Sequence, residues 1–495
     1  MPKIVFRILV LAVVLGFAAI LTTSLGARIQ PTGLISSPFL GAGDLTTASA
    51  TSIPLWARSY GLFLGGPGFS LDECDWAKAI QPMGEGRFVV AGEADARISE
   101  DTMYMDAAVV ELDLQGDVRW KTLFPFSTLG PQCGVNAIAP SRDGGCLAVG
   151  HTGGNIDEPG DLVLVMNMNA DGTVRWVRSY WTGPSGAESP EVTATSDGGY
   201  VVAALAFPHI EYGSVIYGIW VFKIDSLGTV VWSEIFTSGW EFEDIGAIRA
   251  TSDGGLVVAG THSESGDDGT YSARAWIMRL DSGGGLEWHK CYATIPGVNE
   301  CTTAQGMTLT KDGGFALTGC VQLSGSNSKT WVCKLTSSGD IKWQKSYDGT
   351  YGSAIIQTSD GGYLVTGAYS ARAFKLTSSG AVQWAKKYER TLHTMEMLGA
   401  FENEGGGYVM LAQSPGIQLN PAFSYMPWIA MSVDKNGDMT PGCPFVRSIA
   451  GDMRIATVRL SSDSFSQTFS VTITHALAFN PQGKPYVRVG ANACR

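Results

Sequence analysis

Charged side chains are scarce in this chain, and acidic ones are in excess. Asp, Glu, Lys and Arg make up 16% of the 495 residues, and the net charge is −12. Because nucleic acids and anionic membrane surfaces attract basic proteins, neither is expected as a partner. Segments with the apolar period of an amphipathic helix are also missing between residues 56 and 440, which argues against a helical or α/β fold there.

Motifs for familiar catalytic chemistry are absent as well. The sequence has no Gly-x-Ser-x-Gly, no His-Glu-x-x-His, no phosphate-binding loop and no dinucleotide fingerprint. Nucleophilic catalysis, nucleotide use and metalloprotease chemistry therefore have no motif to support them. The cysteines include no Cys-x-x-Cys pair, so metal ligation by these cysteines is not expected.

Glycine is abundant, with 62 residues, and much of it belongs to one repeated pattern. Each unit has an Asp-Gly-Gly turn, an apolar run, a variable stretch, a second apolar run, a Gly turn and a Trp. The first turns lie at Asp143–Gly145, Asp197–Gly199, Asp253–Gly255, Asp312–Gly314 and Asp360–Gly362, with degenerate copies at Glu85–Arg87 and Glu404–Gly406. The closing tryptophans are Trp120, Trp176, Trp232, Trp288, Trp343 and Trp384. The last unit breaks off after its Gly turn, and the missing segment occurs ahead of the first unit, at Trp56–Tyr60.

Four short strands are predicted in each unit, for example over 248–251, 256–260, 275–280 and 286–290. The glycines supply the positive φ of a tight hairpin, and the Asp side chain caps the turn. Four-stranded repeats of this size are typical of propeller blades, which cannot bury their faces alone. The sequence thus predicts an all-β fold: a seven-bladed β-propeller of four-stranded blades over 55–444, closed by the N-terminal strand. A small C-terminal β appendage is predicted over 445–495, with strands near 453–460, 469–479 and 486–489.

The repeats resemble those of a broad group of secreted bacterial and archaeal proteins with Asp-Gly-Gly-Tyr propeller repeats. The resemblance covers roughly residues 56–440. It implies the propeller fold and no particular activity, because propellers host many functions. The Trp after each Gly turn also resembles the docking motifs of quinoproteins. The chain lacks the vicinal cysteine pair that many of those enzymes carry, so quinone chemistry is not expected.

The N-terminus has the layout of an export signal. Lys3 and Arg7 precede an apolar run from Ile8 to Leu21, and small residues follow near Ala27. Residues 1–27 are therefore predicted to be a signal peptide or a membrane anchor, and the Ser, Thr, Gly and Pro of 28–54 predict a flexible linker. The expected localisation is extracytoplasmic, either secreted or at the cell surface.

Nine cysteines in an exported protein predict disulfides and one odd thiol. The candidate pairs are Cys291 with Cys301, Cys320 with Cys333, Cys443 with Cys494, and Cys74 with Cys133. Cys146 takes the position that Tyr200 and Tyr363 hold in other units, which is a packed strand site. It is the candidate for the free thiol.

The repeat places the variable connections, second to third strand and fourth to first, together on one side of the molecule, here called the loop face. Function is expected there because variable loops on a rigid scaffold usually carry binding. The face is acidic and has aromatic residues beside the carboxylates. The candidate ligand-binding residues are Trp181, Glu188, His209, Tyr212, Trp240, Phe242, Glu243 and Asp244. No cofactor is required, although clustered carboxylates would suit calcium. A three-His metal site of His151, His209 and His262 is a further alternative, and His289 is predicted to lie on the surface.

Three functions remain open. The first is a non-enzymatic recognition or assembly scaffold outside the cell membrane, with an envelope protein or a glycan as partner. The second is a carbohydrate-active hydrolase or lyase that uses carboxylates of the acidic loop face. The third is a surface-layer or filament subunit that self-assembles through its C-terminal strands.

Overall fold

The computed structural model describes residues 53–60, 73–74, 76–95, 105–124, 133–152, 162–181, 187–211, 214–237, 242–265, 271–292, 301–322, 328–349, 351–368, 371–388, 395–413, 417–420, 423–426, 428–439, 446–448, 455–457, 470–472, 477–480 and 484–488. All of these residues fall within one compact unit. The predicted signal segment 1–27 and the linker up to residue 52 lie outside the described residues. Within the described ranges, no helix has the length and apolar character needed to cross a bilayer.

The first half of the described chain consists of strands. In chain order they are β1 Trp56–Tyr60, β2 Glu73–Cys74, β3 Trp76–Gly84, β4 Arg87–Asp95, β5 Met105–Asp113, β6 Val118–Phe124, β7 Cys133–Pro140, β8 Cys146–Thr152, β9 Leu162–Met168, β10 Val174–Trp181, β11 Ala187–Ala194, β12 Tyr200–Glu211, β13 Ser214–Ile224, β14 Val230–Thr237, β15 Phe242–Ala250, β16 Leu256–Ser265, β17 Tyr271–Leu280 and β18 Leu286–Tyr292.

The second half continues in the same way. Its strands are β19 Cys301–Thr302, β20 Gly306–Leu309, β21 Phe315–Gln322, β22 Lys329–Leu335, β23 Ile341–Tyr347, β24 Tyr351–Gln357, β25 Tyr363–Ala368, β26 Arg372–Leu376, β27 Val382–Tyr388, β28 Glu396–Glu402, β29 Tyr408–Gln413, β30 Ile417–Asn420, β31 Phe423–Met426, β32 Trp428–Val433, β33 Val446–Ser448, β34 Ile455–Thr457, β35 Ser470–Thr472, β36 Leu477–Asn480 and β37 Lys484–Arg488.

The strands form consecutive four-stranded antiparallel units. These are β3 to β6, β7 to β10, β11 to β14, β15 to β18, β20 to β23 and β24 to β27, followed by β28, β29, β32 and β1. The short β19 links the fourth unit to the fifth, and β2, β30 and β31 form a small separate sheet. The prediction of an all-β fold of four-stranded propeller sheets is thus confirmed.

The first strand of each unit is its innermost strand. β3 packs against β7, β7 against β11, β11 against β15 and β15 against β20; β20 then packs against β24, β24 against β28, and β28 against β3. The N-terminal strand β1 pairs antiparallel with β32, with Trp56 opposite Ser432 and Tyr60 opposite Trp428. The last unit therefore takes its outer strand from the other end of the chain.

The Asp-Gly-Gly turns adopt the geometry that their sequence predicts. In the turn at residue 360, Gly361 has a φ of +81°. The Asp360 carboxylate accepts hydrogen bonds from the Gly362 backbone N–H at 2.9 Å and from the Thr358 hydroxyl at 2.6 Å. The buried Lys375 ammonium lies 2.8 Å from the same carboxylate. Partial burial alone would raise the pKa of Asp360, but these hydrogen bonds outweigh it and hold the pKa at about 2.

The repeated Trp joins each unit to the next. Indole N–H groups donate to backbone carbonyls in the third-to-fourth turn of the following unit: Trp56 to Leu114, Trp120 to Ala170, Trp232 to Ser282, Trp343 to Ser378 and Trp384 to Lys435. The Tyr four residues after the Trp does the same through its hydroxyl: Tyr180 to Gly228, Tyr292 to Gly339, Tyr347 to Gly380 and Tyr388 to Gly437. The Trp-x-x-x-Tyr repeat is therefore a contact between units, and Trp56 makes it between the last unit and the first.

The described C-terminal strands extend the outer edges of the propeller sheets, so the predicted β appendage packs on the rim of the fold. β33 pairs with β27, β34 with β23, β35 with β14 and β36 with β10, and β37 adds to β36. The physical reason is that an outer strand presents unpaired N–H and C=O groups, which another strand can satisfy. These edges are therefore used within the chain.

Two predicted disulfides are wrong: Cys291, Cys301, Cys320 and Cys333 are free thiols. Cys333 is paired with Leu317, whereas Cys320 is paired with Thr330. Leu317 and Cys320 are three residues apart on β21, so Cys320 and Cys333 lie on opposite faces of the sheet. The same offset separates the other pair, since Cys291 is paired with Trp276 and Cys301 with Ala273. Neither pair meets the geometry of a disulfide.

The remaining cysteine predictions have different outcomes. Cys146 is a buried free thiol, as predicted, and burial raises its pKa to about 12. The side chains of Cys74 and Cys133, and the whole of Cys443 and Cys494, lie outside the described residues. Their pairings stay predictions.

Candidate functional site

The structure describes two of the predicted ligand-binding side chains, Glu188 and Asp244. The backbones of Trp181, His209, Phe242 and Glu243 lie on β10, β12 and β15, but their side chains are outside the described residues, as are Tyr212 and Trp240 altogether. The site is therefore built from the inner strands, on which Glu188 and Asp244 lie.

Glu188 and Asp244 occupy equivalent positions at the loop-face end of neighbouring inner strands. Each is paired with the residue five positions after the first buried residue of its unit's second strand. Three other inner-strand residues with an aromatic or carboxyl side chain share this register, and Gly134, paired with His151, shares it without a side chain. The pairs are Trp76 with Glu93, Glu188 with Leu205, Asp244 with Thr261, Tyr351 with Ala368 and Glu396 with Gln413. We call Trp76, Glu188, Asp244, Tyr351 and Glu396 the inner row. It combines two aromatic rings with three carboxyl groups.

The side chains of the inner row are accessible to different degrees. Trp76 is 41% exposed and is one of the few large apolar side chains on the described surface. Asp244 is also exposed, whereas Glu188, Tyr351 and Glu396 are half-buried. The ammonium of Lys78 lies 5.7 Å from the centre of the Trp76 ring and 3.7 Å from the Glu93 carboxylate. Burial raises the pKa of Glu396, and the charge of Lys78 opposes that shift.

A β-bulge interrupts the inner strands just past the inner row. The register shifts between Ala77 and Ala79, between Ile245 and Ala247, and between Glu188 and Glu191. The bulge of β11 holds Ser189 at a φ of +48°. Because a bulge adds an unpaired residue, it turns the side chains beyond it relative to a regular strand. Glu191 is the first paired residue beyond the β11 bulge.

Glu191 belongs to a charged group with Asp244 and Arg249. Burial raises the pKa of Glu191 to about 7; the positive charge of Arg249 opposes the shift, and the negative charge of Asp244 adds to it. Burial lowers the pKa of the Arg249 guanidinium, which the Glu191 carboxylate partly offsets. Asp244 keeps an exposed surface, yet the protein around it still raises its pKa by desolvation, against a hydrogen bond from the Ile245 backbone. A carboxyl group with a pKa of about 7 is thus within electrostatic range of a guanidinium.

The group of Glu191, Asp244 and Arg249 can bind a polar ligand and can exchange a proton with it, because carboxylates accept hydrogen bonds from hydroxyl groups and Arg249 donates them to oxygen atoms. In the first unit, the exposed Trp76 ring offers an apolar face. Sequence reasoning included Glu188 and Asp244 among the candidate ligand-binding residues of the acidic loop face. It missed Trp76, Arg249, Tyr351 and Glu396, since nothing in their local sequence marks them. Only the alignment of each first strand on its Asp-Gly-Gly turn could have found the inner row.

The predicted three-His site stays a prediction, and its two described members, His151 and His262, have other side chains as neighbours. His151 lies on β8, where its Nδ1 is 2.9 Å from the Asn136 side-chain oxygen. His262 is instead close to His289, with ring centroids 5.9 Å apart. The prediction that His289 lies on the surface is wrong: it is half-buried, and burial together with the charge of His262 lowers its pKa to about 3. The side chain of His209 is outside the described residues.

Calcium stays a prediction. Most carboxylates of the long loops are not among the described residues, and in the described part no three carboxylates lie close enough to share an ion. The Asp434 turn, which resembles the start of a calcium loop, forms a regular hairpin in which Asp434 accepts the backbone N–H of Asn436 at 2.8 Å and that of Asp438 at 2.8 Å.

Comparison with known proteins gives no family. No family model matches the chain, and no curated protein matches it. Similar solved structures include the polysaccharide lyase Uly1, with 11% identity, a TM-score of 0.46, and coverage of 79% of this chain and 94% of that one. Streptogramin B lyase has 15% identity and a TM-score of 0.43, covering 77% of this chain and 100% of that one. The Dos1 propeller has 8% identity and a TM-score of 0.42, covering 74% and 94%. No property of these proteins is carried over to this chain at such low similarity.

Proposed function

We propose that this chain forms a closed, seven-bladed β-propeller that is exported from the cell and recognises glycans of the envelope without transforming them. The pairing of β1 with β32 and the contact of β28 with β3 support the closed ring. Residues 1–27 begin with basic side chains, continue with an apolar run and end with small residues, which supports export. In this ring the inner row surrounds one end of the central channel.

The observation that carries the glycan proposal is the composition of the inner row. An exposed Trp76 shares its register with the carboxyl groups of Glu188 and Asp244. A sugar ring has an apolar face that stacks on an aromatic ring and hydroxyl groups that donate to carboxylates. The positions lie on paired strands, so the site is preorganised and loses little conformational entropy on binding.

The proposal is tested with an array of neutral and acidic polysaccharides, followed by calorimetry on the tightest ligand. Trp76→Ala and Glu188→Gln should each weaken binding about tenfold or more, equivalent to roughly 1.4 kcal/mol. Leu227→Ala is the matched control, because Leu227 is 66% exposed in a third-to-fourth turn, away from the loop face. Equal affinity in all three variants would place the binding site elsewhere, and no binding to any glycan would reject the proposed ligand class.

A second candidate is a carbohydrate-active hydrolase or lyase at the same site. The observation in its favour is Glu191, whose raised pKa of about 7 suits a residue that both gives and takes a proton near neutral pH. Asp244 would then be the second carboxyl group, and Arg249 would neutralise negative charge that develops on the substrate.

Product release distinguishes the two functions. The polysaccharides that bind are incubated with the protein and assayed for new reducing ends or unsaturated sugars. Glu191→Gln should abolish catalysis and retain binding. Glu85→Gln is the control and should remain active, because the side chain of Glu85 is 88% exposed in a turn at the opposite end of its sheet. Binding without any product supports recognition, whereas activity that persists in Glu191→Gln excludes this residue from catalysis.

A further inference from the structure

A second cluster of functional side chains lies in the fourth sheet, on β16 and β18, outside the inner strand β15. The side chains of His262, His289 and Cys291 each offer one ligand atom, and these atoms all lie within 4.8 Å of one another. The Cys291 sulfur is 3.8 Å from Nε2 of His289. It is the one such group of histidine, cysteine or carboxylate side chains among the described residues.

Strand pairing explains why these residues meet. His289 and Cys291 are two residues apart on β18, so both side chains project from the same face of the sheet. They are paired with Met278 and Trp276 on β17, whose other neighbour is β16. His262 lies on β16, and its ring centroid is 5.6 Å from the Trp276 ring. The three side chains therefore approach one another across β17.

The surroundings of the cluster form a small apolar pocket between the third and fourth sheets. It encloses about 270 Å³, including its open mouth, and Ile219, Phe236, Met278 and Leu286 line it together with both imidazoles. His262 is only 5% exposed, whereas His289 and Cys291 are half-buried. An ion can therefore enter from the solvent side and would be shielded from water on the inner side.

We propose that His262, His289 and Cys291 bind one soft transition-metal ion, and that copper(I) is the ion the donors favour. Two imidazoles and a thiolate form a three-donor set, and Met278 lines the same pocket as the two imidazoles. Thiolate and thioether sulfur favour Cu(I) over hard cations, and Cu(I) accepts low coordination numbers. Three protein ligands do not match a structural zinc site, which uses four, whereas a zinc site completed by water uses three, so Zn(II) is the competing ion.

The distances are suitable for metal binding with small side-chain movement. Metal–nitrogen bonds of about 2.0–2.1 Å and metal–sulfur bonds of about 2.3 Å place donor atoms roughly 3.5 Å apart. The separation of 3.8 Å between Cys291 and His289 is close to this value, and the upper limit of 4.8 Å within the group requires a shift of about an ångström. The thiol proton is released on binding, so affinity should rise with pH.

The test is an anaerobic titration of the full-length protein with Cu(I) against a chromophoric chelator, with Zn(II) titrated in parallel. Wild-type protein should bind one Cu(I) ion per chain and unfold at a higher urea concentration when loaded. Cys291→Ser and His289→Gln should each lower the Cu(I) affinity at least about tenfold. Co(II) serves as a spectroscopic probe, because its thiolate charge-transfer band should disappear in Cys291→Ser.

Matched controls separate this site from incidental binding. Cys301→Ser removes another half-buried free thiol and His151→Gln another half-buried imidazole, and both variants should bind Cu(I) as wild type does. Urea unfolding of each variant without metal verifies that it is folded. Unchanged Cu(I) binding in Cys291→Ser and His289→Gln would overturn the site, and tighter binding of Zn(II) than of Cu(I) would overturn the choice of ion.

Discussion

Replacing Gly172 with alanine should destabilise the protein more than replacing Gly361 with alanine, although both glycines have a φ of +81°. Both variants force a residue with a Cβ into the left-handed region, at a cost of about 1–2 kcal/mol. A gain of about 0.4–1 kcal/mol from the stiffer unfolded chain offsets part of this cost in both. The two positions differ in what the new methyl group would meet.

At Gly172 the methyl carbon would lie 2.5 Å from the Trp120 ring of the preceding sheet, whereas at Gly361 nothing lies within 4 Å. The ring must therefore move, and its hydrogen bond to the Ala170 carbonyl, 3.0 Å long, must lengthen or break. Overpacking of this kind costs about 1–3 kcal/mol. We expect a loss of about 1 kcal/mol for Gly361→Ala and about 2–4 kcal/mol for Gly172→Ala.

Urea unfolding of wild type and both variants, followed by tryptophan fluorescence and circular dichroism, measures the difference. The slopes of the transitions should agree, so that the midpoints report stability. Equal losses in the two variants would refute the reasoning, because they would show that the Trp ring yields without cost. The contact between the Trp and the Gly turn would then contribute nothing to the joining of successive sheets.

Three further outcomes are expected. Trp56→Phe removes the indole N–H that donates to the Leu114 carbonyl at 2.7 Å, and it should lower the free energy of unfolding in urea by about 1–3 kcal/mol. The control is Trp76→Phe at the exposed surface, which should change this free energy by less than about 0.5 kcal/mol. The pKa of Asp360 is about 2 in the folded protein, whereas its ordinary value is 3.8. The carboxylate therefore stabilises the fold fully above about pH 4, and this stabilisation is lost as the pH falls towards 2. Asp360→Asn should therefore unfold earlier than wild type at pH 7, and the gap should close near pH 2; a gap independent of pH would contradict the assignment. The five described free thiols should all be alkylated after unfolding without reductant. A mass that shows Cys320 joined to Cys333, or Cys291 joined to Cys301, would contradict the strand register.

The elements that sequence reasoning predicted well depend on short-range geometry. The turn at Asp360–Gly362 is specified by residues that bond to one another within the turn, and Gly361 has the positive φ that the sequence indicates. The strands follow from apolar alternation between such turns. The N-terminal strand was predictable because the last unit lacks a segment that occurs in every other one. The pairing of Trp56 with Ser432 agrees with that prediction.

Contacts that depend on strand pairing and register could not be predicted from the sequence in the same way. The two disulfides failed because an offset of three residues places Cys320 and Cys333 on opposite faces of one sheet. The C-terminal strands could not be located because a sheet edge accepts a strand with little regard to its sequence. The inner row required the alignment of strands far apart in the chain.

The sequence by itself thus determined the repeat, the positions of its turns and strands, and the Trp and Tyr that join successive units, since these follow from local backbone conformation and a repeated pattern. Only the tertiary structure decided that Glu191, Asp244 and Arg249 share one electrostatic environment, and that His262 meets His289 and Cys291. The physical reason is that side-chain neighbours across strands depend on register and bulges, and a shift of one residue turns a side chain to the other face of its sheet.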